Sequence, residues 1–321
     1  MNYQNCFVLY GDIPPYRKGK SHKLYRYIYK LFHSSRRFLI RKMVTNWLFP
    51  TYYRNHKNEP KSVSNNTIVS LTSFPKRLPT LWLVIESLKH QNIKPEKIIL
   101  YLSSDEIKDK NDIPHSLLKE EDDLFEIRLR KGKLRAHGKY HFAMKEFPDK
   151  NIVTVDDDIL YPPTMLQALL DGHNKYPTDV ITNCTKQILF DKNKKILPYN
   201  NWKKFFNFDD YKNGYCEKDN LIPMGVCGVL YPPSVLYKDV LNFDLAKEKS
   251  YLADDLWLYT QTVLAGNKVI KTNFNTYSCI PIEIQNNVTL ASSNVANNQN
   301  DVQFKQLRDY YVGLLNTDIV K

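Results

Sequence analysis

After Thr67, short apolar runs alternate with segments of helical spacing, and this alternation restricts the possible folds more than any other feature of the chain. Helical spacing is clearest in Leu78–His90, where leucine, valine and isoleucine recur on one face. Four β-rich runs lie at Thr67–Ser73, Lys97–Leu102, Leu124–Leu129 and Asn151–Val155. Strand–helix alternation with short connections predicts a parallel, right-handed, doubly wound α/β sheet. Ligands of such sheets bind beyond the carboxyl ends of the strands.

The fourth β-rich run ends in three consecutive carboxylates, Asp156, Asp157 and Asp158. Three carboxylates at one strand end repel one another unless a cation lies among them. Hard divalent ions such as Mg²⁺ or Mn²⁺ are held by one or two carboxylates together with substrate phosphates. The alternative is an acidic turn that caps the following helix, but a cap needs one Asp and not three. The pattern therefore favours a divalent metal site.

Three further motifs each allow a structural and a functional interpretation. Asp254 and Asp255 open a predicted helix, where they can complement the helix dipole or supply a general base. The basic run Arg130–Tyr140 is either a solvated loop or a diphosphate cradle at a helix start. Gly225 and Gly228 lie among apolar residues and indicate a tight turn or a close approach to a ligand.

The positive charge of the chain is concentrated in its first 60 residues. The whole chain has 46 Lys and Arg against 34 Asp and Glu, and the first 60 residues hold twelve Lys and Arg against Asp12 and Glu59. Apolar and aromatic residues recur there at helical spacing, followed by a predicted linker over 55–66. Three interpretations fit: a helix at an anionic membrane surface, a helix packed on the main domain, or a nucleic-acid-binding segment.

Composition excludes several classes of protein. With 42% hydrophobic and 25% charged residues the chain is typical of globular proteins. No apolar run is long enough to span a membrane, and Met1–Asp12 lacks the pattern of a secretory signal, so a cytoplasmic location is expected. Five scattered cysteines without a C-x-x-C pair indicate buried thiols rather than disulfides or a zinc site.

Four motifs in this order resemble bacterial glycosyltransferases of the GT-A fold. They are Thr72–Arg77, Val155–Pro162, Gly228–Pro233 and Ala253–Trp257. The most similar group is glycosyltransferase family 2, in enzymes that build capsules and lipopolysaccharide, and Gln299–Gln303 resembles that group's C-terminal segment. The similarity covers about residues 64–311. It implies a GT-A-like, mostly parallel sheet flanked by helices, with an N-terminal extension and linker (1–62), a catalytic domain (63–285) and a C-terminal segment (286–321) packed on it.

The resemblance also implies roles for individual residues. In the DxD motif, Asp158 would be the direct metal ligand, and Asp156 would face the ribose or the outer shell of the metal. Asp157 would lie beside the nucleotide. Asp255 would be the catalytic base, with Asp254 as the alternative because Asp stands where the family has Glu. The loop after the first strand would bind the nucleobase through Thr72, Ser73, Phe74 and Arg77. The diphosphate would be bound by Arg135, His137 and Lys139.

The activity implied by the resemblance is a metal-dependent sugar transfer. A nucleotide sugar, with a UDP-sugar preferred, would donate to a saccharide or lipid-linked saccharide in surface polysaccharide synthesis, with Mn²⁺ or Mg²⁺ as cofactor and inversion through an Asp base. Residues 17–57 would hold the enzyme peripherally on the inner face of the cytoplasmic membrane, and no nucleic-acid partner is expected. The alternatives are a metal-dependent nucleotidyltransferase and a basic nucleic-acid-binding protein.

Overall fold

A computed structural model describes residues 3–11, 35–56, 62–205, 214–282 and 298–320. The strands are β1 (Ser62–Thr72), β2 (Ile93–Ser103), β3 (Phe125–Arg130), β4 (Asn151–Thr154), β5 (Ile159–Leu160), β6 (Val180–Thr182), β7 (Thr185–Gln187), β8 (Lys203–Phe205), β9 (Tyr215–Cys216), β10 (Leu221–Pro223), β11 (Val229–Tyr231), β12 (Val269–Thr272) and β13 (Ile280–Pro281). The helices are α1 (Tyr3–Gly11), α2 (residues 35–55, including the π-helical turn Val44–Leu48 and the α-helical Phe49–Asn55), α3 (Leu78–Lys89), α4 (His115–Leu118), α5 (Gly138–Glu146), α6 (Met165–Lys175), α7 (Phe243–Ser250), α8 (Asp254–Leu264) and α9 (Gln299–Leu315).

One mixed sheet of eight strands forms the centre of the described structure, in the order β3-β2-β1-β4-β11-β6-β12-β9. β1 pairs in parallel with β2 and β4, β2 with β3, and β6 with β12. The predicted GT-A-like, mostly parallel α/β sheet is therefore confirmed. β11 is the exception in the interior, since it runs antiparallel to both neighbours, β4 and β6. The carboxyl ends of β1, β4, β6 and β12 consequently lie at the same edge.

β1 begins earlier than the sequence pattern predicts. Ser62 pairs with Ile93 and Ser64 with Pro95, so the strand already starts within the polar stretch predicted as a linker. The prediction of a linker up to residue 66 is wrong for residues 62–66. Their side chains are mostly exposed, which explains why a search for apolar runs missed them. The register shifts between Ser64 and Ile68, where the strand enters the core.

Helix α2 packs through one of its faces on the domain that contains the central sheet. Val44, Phe49 and Tyr53 are buried and belong to the same apolar cluster as the central strands. The Phe7 ring of α1 lies 5.1 Å from the Phe49 ring. The predicted packing of the basic segment on the main domain thus holds for this face. Much of the basic segment, residues 12–34 and Lys57, lies outside the described residues.

A second apolar cluster joins the C-terminal helix to the domain. Phe304, Leu307 and Tyr311 of α9 are buried against α7 and α8, together with Trp257. The five cysteines are buried free thiols, as predicted. Among the described helices, none is both long and apolar enough to cross a membrane.

Candidate functional site

The loop after β1 and the acidic triplet after β4 meet at the carboxyl edge of the sheet. Arg77, which precedes α3, donates through Nη1 to Asp157 Oδ1, and its Nη2 lies 3.1 Å from Asp158 Oδ2. Ser73 Oγ donates to Asp157 Oδ2 at 2.6 Å. The Arg77 guanidinium also lies 5.1 Å from the centre of the Phe74 ring. The structure therefore brings together four residues that the sequence assigned to the nucleotide.

Asp157 and Arg77 form an ion pair with each other inside the protein, whereas the resemblance assigned both residues to nucleotide binding. Both are buried, and each supplies the other's main charged partner. The three carboxylates around Arg77 raise its pKa against the opposing effect of burial. Burial raises the pKa of Asp157 in spite of the guanidinium beside it. This pair ties the loop after β1 to the end of β4 and so fixes the shape of the edge.

Lys139 connects the two acidic motifs. Its Nζ lies 2.9 Å from Asp156 Oδ1 and 2.9 Å from Asp254 Oδ2, and the residue is only 5% exposed. Burial opposes the charged ammonium, but Asp156, Asp254 and Asp255 outweigh it and raise the pKa of Lys139 well above its ordinary value. This differs from the expected diphosphate contact, because the ammonium is already paired with two carboxylates.

Asp254 and Asp255 begin helix α8 and have different surroundings. Burial would raise the pKa of Asp254, but the neighbouring Lys139 ammonium prevails, and the net shift is downward. Asp255 makes no ion pair within the described residues, and its Oδ1 accepts a hydrogen bond of 3.1 Å from Gly225 N. Burial, followed by the charge of Asp254, raises the pKa of Asp255 well above the usual range. Asp255 is thus the better proton acceptor of the two.

The turn Gly225–Cys227 closes over these groups. A Cβ on Gly225 would lie 2.9 Å from Lys139 Nζ and 3.2 Å from Asp156 Oδ1, so only glycine fits without displacing them. Gly228 follows with φ 89°, which turns the chain into β11. Close approach and a tight turn were alternatives in the sequence, and each applies to one of the two glycines.

His137 and Arg135 differ sharply in position. His137 is fully buried, its Nε2 donates to Ser250 O at 2.9 Å, and its Nδ1 lies 2.8 Å from the Tyr140 hydroxyl. Burial lowers the pKa of this imidazole. His137 therefore supports the segment before α8, and the structure does not bear out its predicted contact with a diphosphate. Arg135 is exposed, with its guanidinium 4.9 Å from the centre of the Tyr251 ring.

The candidate site has an excess of negative charge that a bound cation could offset. Five carboxylates surround two cationic side chains, Arg77 and Lys139. Asp156 and Asp158 keep 30% and 26% of their side chains exposed. Burial and then Asp156 raise the pKa of Asp158 to about 6. Throughout the described ranges, no group of three or more His, Cys, Asp or Glu is arranged to hold a metal. Two carboxylates with free surface suit Mg²⁺ or Mn²⁺ when phosphate oxygens complete the coordination.

The sequence missed residues that position the site from a distance. The hydroxyl of Tyr161, in the loop after β5, accepts a hydrogen bond of 2.8 Å from Asp156 N and donates to Asp156 O at 3.4 Å. Asp301 Oδ1 accepts from Tyr199 N at 2.7 Å, and Gln303 Oε1 accepts from Leu252 N at 2.8 Å. Asp301 and Gln303 lie in the C-terminal motif that the resemblance had singled out without a role.

Residues 71–230 match the family model of glycosyl transferase family 2. The chain contains a glycosyl transferase family 2 domain. The match covers about half of the chain, from the end of β1 through the acidic triplet and the glycine turn to β11. It ends before Asp254, so α8, which begins with the Asp254–Asp255 pair, and α9 lie beyond the matched residues.

Comparison with solved structures gives remote similarities to the glycosyl transferase family 2 domain. TarS 1–349 from S. aureus, solved with UDP-GlcNAc, is 12% identical over 65% of this chain and 56% of its own, with a TM-score of 0.42. A 4-diphosphocytidyl-2C-methyl-D-erythritol synthase from Anaerococcus prevotii is 11% identical over 73% of this chain and 99% of its own, with a TM-score of 0.40. HddC from Yersinia pseudotuberculosis is 14% identical over 54% of this chain and 77% of its own, with a TM-score of 0.33. No curated protein matches the chain in sequence.

Proposed function

We propose that this domain transfers a sugar from a nucleotide-diphosphate donor to a saccharide or lipid-linked saccharide in surface polysaccharide synthesis. A UDP-sugar is the donor we favour, and the inner face of the cytoplasmic membrane is the proposed location, reached through residues 17–57. One observation carries the proposal: the acidic triplet and the Asp254–Asp255 pair share one sheet edge, joined by Lys139, with Asp255 outside that ion-pair bridge. That arrangement provides separate groups for donor binding and for proton removal.

Asp158 and Asp156 are the residues we assign to a divalent metal, Mn²⁺ or Mg²⁺. Their exposed carboxylates and the excess of negative charge around them support this assignment. A bound divalent ion would offset the negative charge that grows on the departing diphosphate. Asp157 would remain bound to Arg77 and Ser73, holding the metal-binding carboxylates on either side of it in place.

Asp255 is our proposed general base. The acceptor hydroxyl attacks the anomeric carbon of the donor sugar while its proton passes to Asp255, and the bond from that carbon to the diphosphate oxygen breaks. The electron pair of the broken bond stays on the diphosphate, which leaves with the nucleotide. Attack from the face opposite the leaving group inverts the anomeric configuration. The raised pKa of Asp255 suits this task, because a carboxylate with a raised pKa binds the transferred proton more tightly than an ordinary one.

The donor nucleotide would lie along the loop after β1. Thr72, Ser73 and Phe74 are half-buried at this edge and can face a base or ribose. Arg135 is the exposed cation nearest in sequence to Lys139 and is our candidate for contact with the diphosphate. Arg77 would act indirectly, since its guanidinium is occupied by Asp157 and Asp158.

The acceptor would approach past Tyr199. Burial and then the charge of Asp255 raise the pKa of the Tyr199 hydroxyl, which indicates that this phenol is close to the proposed base. The Lys186 ammonium lies 3.3 Å from the centre of the same ring. A half-buried aromatic ring beside the base is a suitable platform for a sugar, because sugars stack their apolar faces on aromatic rings.

A thermal-shift screen against UDP, GDP, CDP and CMP, with and without Mn²⁺, tests the donor and metal assignments. We expect one nucleoside diphosphate to raise the melting temperature only with Mn²⁺, and Asp158→Ala to abolish the shift. Incubation of the preferred nucleotide sugar with an acceptor saccharide should then release the nucleoside diphosphate. Formation of pyrophosphate from a nucleoside triphosphate and a sugar phosphate would instead identify a nucleotidyltransferase and overturn the proposal.

A further inference from the structure

Helix α2 has an apolar stripe on the face that does not pack on the domain. Leu39, Met43 and Trp47 follow one another at intervals of four residues, which places them on one side of a helix. Leu39 is 64% exposed, Met43 40% and Trp47 66%. Their neighbours Val44 and Phe49 are almost fully buried. The helix therefore presents apolar side chains in two directions, and the domain covers one of them.

Two exposed cations flank this stripe. Arg36 lies three residues before Leu39, and Lys42 three residues after it, so both are next to the stripe on the helix surface. Lys42 Nζ also lies 4.8 Å from the centre of the Phe38 ring, which is 42% exposed. Leucine, methionine and tryptophan bordered by Arg and Lys are the composition of helices that lie in the interface of an anionic bilayer.

The stripe lies in the N-terminal part of α2. This part is on the same side of the domain as the carboxyl ends of β1, β4, β6 and β12, where the proposed catalytic residues lie (the catalytic edge). The Arg37 guanidinium is 4.5 Å from the centre of the Tyr10 ring and 5.7 Å from that of Tyr277. Tyr277 follows β12, whose carboxyl end is at the catalytic edge. A few residues later, Ile282 N donates to Asp158 O at 2.7 Å. Toward the opposite end of α2, the Tyr53 ring lies 4.8 Å from the ring of His90, which follows α3.

We propose that Leu39, Met43 and Trp47, with Arg36 and Lys42, form a docking face (the α2 face) for an anionic phospholipid bilayer. The helix would lie parallel to the membrane with the apolar stripe among the acyl chains and the two cations at the phosphates. Because the buried side of α2 is part of the domain core, membrane binding would orient the whole catalytic edge and not a tethered tail. This surface is separate from the candidate catalytic site; the inference rests on the membrane location proposed above and names the side chains that would make the contact.

Sedimentation of the full-length protein with vesicles tests the α2 face. We expect binding to vesicles that contain phosphatidylglycerol and little binding to pure phosphatidylcholine. Leu39→Gln/Met43→Gln/Trp47→Gln should lower the affinity by about tenfold or more, because the apolar contribution is lost. Arg36→Gln/Lys42→Gln should lower it by about 30-fold at low salt, since each charge near an anionic surface contributes roughly fivefold.

Matched controls remove the same chemistry elsewhere. Lys145→Gln/Lys247→Gln removes two exposed charges, and Val312→Gln/Leu314→Gln removes exposed apolar side chains of α9; both should bind vesicles as the wild type does. Point variants are preferable to a deletion of α2, because the deletion would remove the buried side chains of Val44, Phe49 and Tyr53 from the core. Thermal unfolding of each variant should match the wild type, since every substituted side chain is exposed.

Fluorescence gives a second measurement that does not depend on affinity. Vesicles of brominated phosphatidylglycerol should quench part of the tryptophan emission, and Trp47→Phe should lose that quenching while it keeps binding. Unchanged binding of the triple variant would show an electrostatic contact only and would overturn the proposal, as would the absence of quenching. Sugar transfer to a water-soluble acceptor should be the same in all these variants, so failure of the α2 face and failure of the proposed reaction are distinguishable.

Discussion

Asp254 and Asp255 are neighbours in sequence, yet their pKa values move in opposite directions. Lys139 binds Asp254 and keeps it ionised, whereas Asp255 accepts the backbone N–H of Gly225, has no ion pair among the described residues and lies next to the negative charge of Asp254. The division of labour follows from these contacts: one carboxylate holds the structure of the site together, and the other can take up a proton. Both residues could not serve as bases at this helix start, because a second buried carboxylate without an ion pair would increase the free-energy cost of desolvation.

Replacement of the proposed base should separate chemistry from binding. Asp255→Asn keeps an oxygen for Gly225 N but cannot accept a proton, so we expect sugar transfer to fall by about 10²–10⁴-fold. The melting temperature and its increase with nucleotide and Mn²⁺ should remain. Initial rates and a thermal-shift titration measure the two properties. Asp244→Asn, an exposed acid at the start of α7, is the matched control and should leave both unchanged.

Removal of the bridging ammonium should change the pH dependence of the reaction. Asp255 must be deprotonated to act, so transfer falls as the pH drops through its raised pKa. Lys139 lowers the pKa of Asp255, and Lys139→Met should therefore move the acidic limb of the rate profile to higher pH. Leaving Asp156 and Asp254 without their cation should also cost about 3–5 kcal/mol of unfolding free energy.

Two readouts decide whether Lys139 acts as we infer. The pH–rate profile of Lys139→Met, with the unfolding free energy measured at the same pH values, distinguishes a shifted pKa from a general loss of folded enzyme. A uniform loss of rate at every pH, with no shift of the acidic limb, would contradict the electrostatic link to Asp255.

At the level of single residues, the sequence predicts which side chains meet but not how they pair. Residue types at strand ends indicated that the acidic triplet, Arg77 and Lys139 share one edge, because parallel strands end together. The fully buried state of His137 and the bridging position of Lys139 depend on contacts with Ser250 and Asp254, more than 100 residues away. Such partners cannot be read from local spacing.

Among the structural elements, the turn Gly225–Cys227 has a steric requirement that bears directly on the candidate site. Gly225→Ala would place a methyl group against Lys139 Nζ and Asp156 Oδ1, so we expect both ion-pair geometry and sugar transfer to suffer. Transfer should fall by more than about tenfold, the usual result of a small displacement at a catalytic group. Gly313→Ala is the control: a Cβ there meets nothing within 4 Å inside α9, and it should stabilise the helix by about 0.5–1 kcal/mol.

Helix α3 carries an acidic side chain that should make stability depend on pH. Burial, and then the hydrogen bond and charge of Glu120, raise the pKa of Glu86 to about 8. The folded protein keeps this proton between the ordinary value of 4.5 and about 8, whereas the unfolded chain has lost it. Stability contributed by protonated Glu86 is therefore lost as the pH rises through this range.

Glu86→Gln should remove that dependence. Glutamine is neutral at every pH, so the variant should be more stable than the wild type at pH 8, by about 1–3 kcal/mol, and nearly equal at pH 5. Denaturant titrations at the two pH values measure the difference. Equal stability of variant and wild type at pH 8 would mean that Glu86 ionises freely in the folded protein.

The order of helices and strands was predictable for the first half of the domain, because apolar runs there are long and separated by clear helical segments. The direction of β11 was not predictable. Its three residues form an antiparallel strand between β4 and β6 only because the glycine turn reverses the chain first. The polar start of β1 was missed for the opposite reason, since backbone pairing with β2 makes a strand there without an apolar pattern.

At the scale of the whole molecule, the C-terminal helix is part of the catalytic domain's stability. Leu307 of α9 is fully buried where α9 packs on α7 and α8, and α8 begins with the acidic pair Asp254–Asp255. Leu307→Ala should cost about 2–5 kcal/mol and lower the midpoint of a single unfolding transition. Leu314→Ala, on the exposed side of the same helix, should leave the midpoint unchanged. Chemical denaturation followed by circular dichroism measures both.

Several hydrogen bonds near the candidate site join residues that are distant in sequence. His137 is bonded to Ser250, Tyr199 to Asp301 and Leu252 to Gln303, and in each pair the second residue is synthesised later. During synthesis the strands β1 to β4 are therefore complete before Asp301 and Gln303 exist. We expect a chain that stops before α9 to lack the hydrogen bonds to Tyr199 and Leu252, and so to leave the surroundings of the Asp254–Asp255 pair without two of their contacts.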